Sequence, residues 1–335
     1  MIIASRLPPQ HTKKTWFSSG RAAFAFLVKE VVRPSTVYLP SFVCWSLIDT
    51  LRERFPGVQL RFYPVLRDLT CQYPEDAEPN SACVFIHYFG RINDASGIGA
   101  ELTLLEDRSH VPLSTNLTPH NDVRDRHIFG SLRKAYRVAD GGFLDGFFNP
   151  IYEADRNLPA WLRHEADDWR DMREAENMTD RAWTVSDISS QSLAVILQTN
   201  ITAMRTQRHL NDRLLKKHFP IGSPVMDFTE EECPLLHNRL CESPKERDSL
   251  RSFMAARGVY TSIHWPVHNY LMQRRDSIDC EDAIWLQDHI LSLPIAECLE
   301  AEQMETICNA AHEWARAGAQ RFVPTERHIA ATASR

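Results

Sequence analysis

Short apolar runs alternate with amphipathic stretches along the first third of the chain, a rhythm that predicts alternating strands and helices. Residues 22–27 (Ala-Ala-Phe-Ala-Phe-Leu) are apolar on every face and read as a buried helix, 36–39 as a strand, 47–54 as a helix and 58–63 as a second strand. The runs 83–88 and 102–105 are continuous rather than alternating, the pattern of strands covered on both faces of a mainly parallel sheet. Ligands of such sheets bind at the carboxyl ends of the strands, so chemistry is sought just after those runs.

Farther along, residues 152–181 interleave Glu165, Asp167, Asp168, Asp171, Glu174 and Glu176 with Arg163, Arg170 and Arg173, which predicts a solvated helix or connector. Helix formers dominate 188–219 up to Pro220 and predict one or two long helices leading from the sheet into a second, smaller domain. Residues 224–228 and 260–265 read as strands, 302–317 as a final helix, and 324–335 as a loose end. There is no internal repeat.

With 335 residues, 43% hydrophobic and 24% charged, the chain has ordinary globular usage rather than that of a disordered or fibrous protein. A net charge of −6 supplies no broad positive field, so nucleic acid is not expected as a partner. Arg6 and then Pro8-Pro9 interrupt the N-terminus before an export signal could form, and the apolar stretch 22–28 is far below the ~20 residues that span a bilayer. The eight cysteines contain no Cys-x-x-Cys pair, which fits reduced thiols and a cytoplasmic location without a membrane partner.

Several chemistries drop out. Gly97-Ile98-Gly99 precedes a strand instead of following one, which is the wrong context for dinucleotide binding, and neither a Walker Gly-Lys-Ser/Thr nor a Gly-x-Ser-x-Gly elbow is present. His264 and His268 are four apart, but Pro266 between them argues against a shared helical face and no acidic ligand is near, so no metal is expected and a cavity-lining loop is the better reading. More informative are Leu105-Glu106-Asp107, an acid ending a buried run, and Ser131-Leu132-Arg133-Lys134 followed by Asp140-Gly141-Gly142. Pyridoxal phosphate chemistry needs a lysine amine for the Schiff base and a carboxylate on the pyridinium nitrogen. Its phosphate needs backbone N–H groups at a helix start, and Ser18-Ser19-Gly20-Arg21 before the first apolar helix supplies one.

In order and spacing, Ser19-Gly20-Arg21-Ala22-Ala23, Leu39-Pro40-Ser41, His87-Tyr88-Phe89-Gly90, Leu105 to His110, Ser131 to Lys134 with Asp140-Gly141-Gly142, and Leu291-Ser292-Leu293-Pro294-Ile295 resemble the DegT/DnrJ/StrS aminotransferases, from about residue 15 to 315. The resemblance implies a fold-type I, pyridoxal-phosphate-dependent α/β transferase, with a large cofactor domain of mainly parallel mixed sheet over 1–187. A connecting helix and smaller α+β domain would follow over 188–335. It implies a homodimer that passes an amino group from a donor such as glutamate to a nucleotide-linked keto sugar, for polysaccharide or secondary-metabolite biosynthesis. Position by position, Lys134 matches the Schiff-base lysine, Asp107 the pyridinium partner, His110 the residue near the ring hydroxyl, and Gly20, Arg21 and Ser131 the phosphate cup. Where the family stacks an aromatic on the ring this chain has Cys44, with Phe42 and Trp45 beside it, and Trp45 is the expected contact. His264, Trp265 and His268 are expected to meet the substrate. Related sugar dehydratases replace the lysine by histidine, so Lys134 argues against that branch. A pyridoxal phosphate enzyme with a non-sugar acceptor and a non-catalytic cofactor-binding protein are the alternatives.

Overall fold

The computed structural model describes residues 14–75, 77–115, 125–152 and 185–318, so the expected loose end and, beyond Tyr152, the expected connector lie outside the described residues. In chain order the first part comprises β1 (Lys14–Phe17), α1 (Gly20–Phe26), β2 (Thr36–Pro40), α2 (Trp45–Arg54), β3 (Gln59–Tyr63), β4 (Ser81–Ile86), β5 (Thr103–Asp107), β6 (Arg126–Ser131) and β7 (Gly142–Asp145). The seven strands make one sheet in the order β1-β7-β6-β5-β4-β2-β3. From β3 across to β6 every pairing is parallel, and β7 runs antiparallel to both β6 and β1. All six residues of β4 are buried, as its unbroken apolar run predicts.

Every residue of α1 is buried, which its lack of a polar face requires. The Ser19 hydroxyl caps it by accepting the Ala22 N–H at 3.1 Å, and the helix runs on as a π-helical stretch, Leu27–Val32. Its first turn sits against the ends of β6 and β7 at distances only glycine allows. A Cβ on Gly142 would meet the Ser19 carbonyl group at 2.1 Å, and one on Gly20 would meet Ser131 and the Gly130 carbonyl carbon at 3.0 Å.

The second part holds α3 (Ser190–Gln198) and α4 (Ile201–His218), capped by Ser189 and Asn200. There follow β8 (Ser223–Pro224), β9 (His237–Leu240), α5 (Pro244–Ala255), α6 (Asn269–Met272), α7 (Glu281–His289), β10 (Ile290–Leu293) and α8 (Ala301–Ala317). β8, β9 and β10 form a three-stranded antiparallel sheet. Leu215, Leu250, Met254, Leu291, Leu293, Met304 and Ala311 fill the core between this sheet and its helices.

Two expected strands fail. The one over 224–228 keeps only Pro224, since after Val225 the chain turns away and Asp227 pairs with Lys216 on α4. The one over 260–265 shrinks to a single bridge, Ser262 to Ser292, where the His264 ring bonds the hydroxyls of Ser262 and, on β10, Ser292 in place of a continued ladder.

Gly142→Ala should therefore unlatch α1 and lower stability by about 2 kcal/mol or more, because backbone and not a flexible side chain is in the way. Gly57→Ala, where a Cβ meets nothing within 4 Å, should stay within about 0.5 kcal/mol of the parent or gain slightly. Urea unfolding of the two variants side by side checks both values.

Candidate active site

β5 ends in Glu106-Asp107, and the pleat sends these neighbours to opposite faces of the sheet. Glu106 is fully buried and meets His87 Nε2 at 2.9 Å, Arg108 Nε at 2.5 Å and the Arg126 guanidinium. Those hydrogen bonds and charges outweigh burial and hold its carboxyl well below the usual range. Asp107 faces the other way. Its Oδ1 accepts the Ser109 N–H at 2.8 Å, and the Ser109 hydroxyl accepts the Ser131 N–H at 2.9 Å, so one serine ties the end of β5 to the end of β6. Burial raises the Asp107 carboxyl, opposed by the positive charge of Lys134 and the Ser109 hydrogen bonds.

Lys134 lies three residues past β6, on a turn in which Ala135 and Tyr136 donate their N–H groups to the Leu132 carbonyl. Its Nζ is 2.9 Å from His110 Nε2, and His110 Nδ1 accepts the Phe89 N–H at 3.2 Å. Burial first, then the charges of Lys134 and His264, pushes His110 well below 6.5, so its ring is neutral. A neutral ring that accepts at Nδ1 carries its proton on Nε2, the nitrogen that faces Lys134 Nζ.

Cys44, Ile86, Asp107, Ser109, His110, Lys134 and Trp265 line a narrow cavity of about 10 Å³. The Trp265 ring stacks on His110 (centroids 5.1 Å apart, 25°) and on Phe89 (5.7 Å, 27°), and Lys134 Nζ lies 5.5 Å from its centroid. An open groove of about 420 Å³ between Arg52, Phe55, Arg61 and Tyr270 is larger but holds none of these groups, so the narrow cavity is the chemical one. Gly20 and Arg21 open α1, where the contact of Gly20 with Ser131 brings the helix start beside the end of β6.

The remaining expected residues divide. His264 Nδ1 is 3.2 Å from the hydroxyls of Ser262 and Ser292; burial and the Lys134 charge take the ring down to about 3. Its ring stands edge-on to His110 at 6.5 Å. Trp45 begins α2, is 37% exposed and lies with its ring 5.2 Å from the Arg21 guanidinium; Cys44 is the residue of this segment that lines the cavity. His268 caps α6 by accepting the Tyr270 N–H at 3.0 Å and bonds Asp49 of α2 at 3.0 Å, so its ring joins two helices outside the cavity lining. Sequence reasoning passed over Ser109 and Phe89, although both stand inside the motifs that marked the site.

Burial holds His87, His110 and His264 below the 6.5 of a free imidazole, so the unfolded chain takes up protons as pH falls below 6.5 while the folded chain does not. Stability is then full above about pH 6.5 and falls on acidification, by up to about 4 kcal/mol per pH unit for three groups. Unfolding free energies at pH 7.5, 6.5 and 5.5 should show this fall, and His110→Gln should reduce its slope by about one proton. A flat profile would mean that the imidazoles titrate in the fold.

Residues 196–312 match the DegT/DnrJ/EryC1/StrS aminotransferase family, a segment that lies after Lys134 and contains His264 and Trp265. No curated protein matches the chain. Among solved structures, the sugar aminotransferase CalS13 from Micromonospora echinospora superposes with a TM-score of 0.62 at 11% identity, covering 93% of this chain and 90% of its own. The aminotransferase PseC of Helicobacter pylori, involved in the biosynthesis of pseudoaminic acid, gives 0.62 at 13% identity, over 91% of this chain and 87% of PseC. The PLP-form of Spr1654 from Streptococcus pneumoniae gives 0.57 at 15%, over 91% and 88%. The family match over residues 196–312 and a shared fold over nine-tenths of the chain bear out the resemblance to the DegT/DnrJ/EryC1/StrS aminotransferases carried by the motifs.

Proposed function

We propose that the chain is a pyridoxal-phosphate-dependent aminotransferase that moves an amino group from glutamate to a nucleotide-linked keto sugar. The observation that carries this reading is the meeting of the Lys134 amine and the Asp107 carboxylate across one cavity, with His110 and Ser109 between them. This donor set fits the cofactor. Lys134 would hold its aldehyde carbon, Asp107 its pyridine nitrogen and His110 its ring hydroxyl, and Ser131 with the first N–H groups of α1 would hold its phosphate. When bound, the cofactor supplies an electron sink for the bonds at an amino acid's Cα and a carrier for the amine.

This chain's own groups do the rest. Asp107 keeps a negative charge where a protonated ring nitrogen needs one, and the Ser109 N–H fixes its orientation. Lys134 would be the base that takes and returns protons at Nζ, with the His110 ring 2.9 Å away to orient it. Trp265, with Phe89 stacked against it, and Ile86 give the cavity apolar walls that would keep water from competing. We assign acceptor contacts to His264 and Trp265, whose rings lie against His110. An acceptor bearing a nucleotide diphosphate is the reading we favour, in keeping with a family best known for such sugars; a keto acid is the alternative. The second subunit of a homodimer would cover the exposed apolar side chains of Phe147 and Ile151, 80% and 93% exposed.

Borohydride reduction of the purified yellow protein followed by peptide mapping should place the label on Lys134; a label elsewhere, or none, overturns the assignment. Asp107→Asn should leave a folded protein that binds cofactor and converts it to the amine form on adding glutamate at least about 100-fold more slowly, following the loss of a charge made for that step. His264→Ala and Trp265→Ala should impair the acceptor half-reaction more than the glutamate half-reaction, read by single-turnover absorbance against keto-sugar nucleotides and keto acids in parallel. Equal losses in both halves would remove this loop from acceptor recognition.

A further inference from the structure

Two hydrogen-bonded routes reach Lys134 from a single buried arginine that no motif marked. Arg208 lies in the middle of α4 and is 3% exposed. Its guanidinium serves three segments of the chain at once. Nη1 donates to the Leu235 carbonyl at 3.0 Å, Nη2 to the Ala135 carbonyl at 3.3 Å, and Nε to Glu297 Oε2 at 3.0 Å, with Nη2 also 2.9 Å from that oxygen.

The first route is short: Ala135 follows Lys134, so Arg208 holds the turn that carries the lysine. The second is longer and arrives at the amine itself. The Leu235 N–H donates to the Phe89 carbonyl at 2.9 Å, the Phe89 N–H donates to His110 Nδ1 at 3.2 Å, and His110 Nε2 meets Lys134 Nζ at 2.9 Å. From Arg208 through Leu235, Phe89, His110, Lys134 and Ala135 back to Arg208, the contacts close a ring. Its weakest backbone point, Phe89, sits at φ 54, a region uncommon for a side chain of that size, and Gly90 beside it packs so closely that a Cβ would meet the Cys233 carbonyl oxygen at 2.2 Å. The turn at 88–91 is thus pressed onto the segment 233–235 that Arg208 holds.

Chemistry explains the choice of residue. A guanidinium is planar and charged, with five donors in fixed directions, so it can satisfy two carbonyls and a carboxylate without reorganising. A lysine has one small head group and reaches fewer of them. Glu297 supplies the charge that a buried guanidinium needs, and it stands between β10 and α8. Leu235 stands just before β9. Two of the three anchors therefore belong to the segments flanking the small sheet, and the third to the lysine turn.

We infer that Arg208, paired with Glu297, is a positioning residue for Lys134, linking the small sheet to the amine through the Ala135 turn and through Leu235, Phe89 and His110. The inference rests on the proposed role of Lys134, but half of its test does not. Apoprotein carrying Arg208→Lys, Arg208→Met or Glu297→Gln is compared with the parent by amide hydrogen exchange, reading peptides over 131–136 and 87–91 against α5 as a reference. The same proteins are mixed with pyridoxal phosphate, and the rate of attachment is followed by absorbance and by borohydride trapping on Lys134.

Arg208→Lys keeps the charge against Glu297 and loses the fork. It should exchange about tenfold faster at 131–136 and 87–91 with α5 unchanged, and attach cofactor about tenfold more slowly. Glu297→Gln should move both readouts in the same direction by less. Exchange and attachment within twofold of the parent in the Lys and Gln variants would overturn the inference, as would exchange raised equally in α5, which would make Arg208 a purely structural residue. If the Met variant fails to fold, the other two decide. If the parent itself attaches no cofactor, the proposed function fails while the exchange arm still settles whether Arg208 holds the Lys134 turn.

Discussion

A carboxylate removed from water must have its charge met by partners in place, and Glu106 is such a group at the centre of the sheet. His87 comes just after β4, Arg108 just after β5, and Arg126 begins β6, so three neighbouring strands must stand in one register for Glu106 to be satisfied. That register leaves the next residue no freedom. Asp107 emerges on the opposite face at the carboxyl edge, Ser109 bonds both it and Ser131, and Lys134 follows from β6 at a fixed reach. The site is in this sense the far side of a buried ion cluster.

The imidazoles around it share a further property. His87 accepts the Asn93 N–H, His110 accepts the Phe89 N–H, and Ser292, which gives its own proton to Asn238, must accept one from His264 Nδ1. Each ring is neutral and each tautomer is fixed by a group with no alternative role. A lone pair or a proton is thereby aimed without help from solvent, which a cavity walled by Trp265 and Ile86 excludes.

Much of this was legible in the sequence, and the parts that were not share a cause. Unbroken apolar runs marked β2, β4 and β5 and the buried α1, and spacing marked Lys134 and Asp107, because both signals are local. β6 was legible only as the strand end before Lys134 and β7 escaped, because Arg126, His127 and two glycines disguise strands whose justification is tertiary: Arg126 serves the ion cluster, and Gly142 makes room for Ser19. His268 has a residue type suited to a site and is a helix cap, since whether an imidazole faces a cavity or a backbone N–H depends on a fold that periodicity does not contain. Arg208 lay hidden for the same reason. An arginine among helix formers looks like a solvated face, and only the meeting of Ala135, Leu235 and Glu297 makes it central.

The antiparallel edge has a consequence for how the chain comes into being. Lys14 pairs with Asp145, 131 residues later, and the Ser18 N–H is bound by the Ser186 carbonyl. At ribosomal speeds of about 5–20 residues per second, β1 waits on the order of ten seconds for its strand partner to be made, and longer for Ser186. During that time α1 can pack against α2, but its contacts with β6 and β7 have to wait. The helix start can meet Ser131, and Ser19 can meet Gly142, only once β6 and β7 have been made. The latch between the first helix and the last two strands of the sheet is then among the last of its contacts to close.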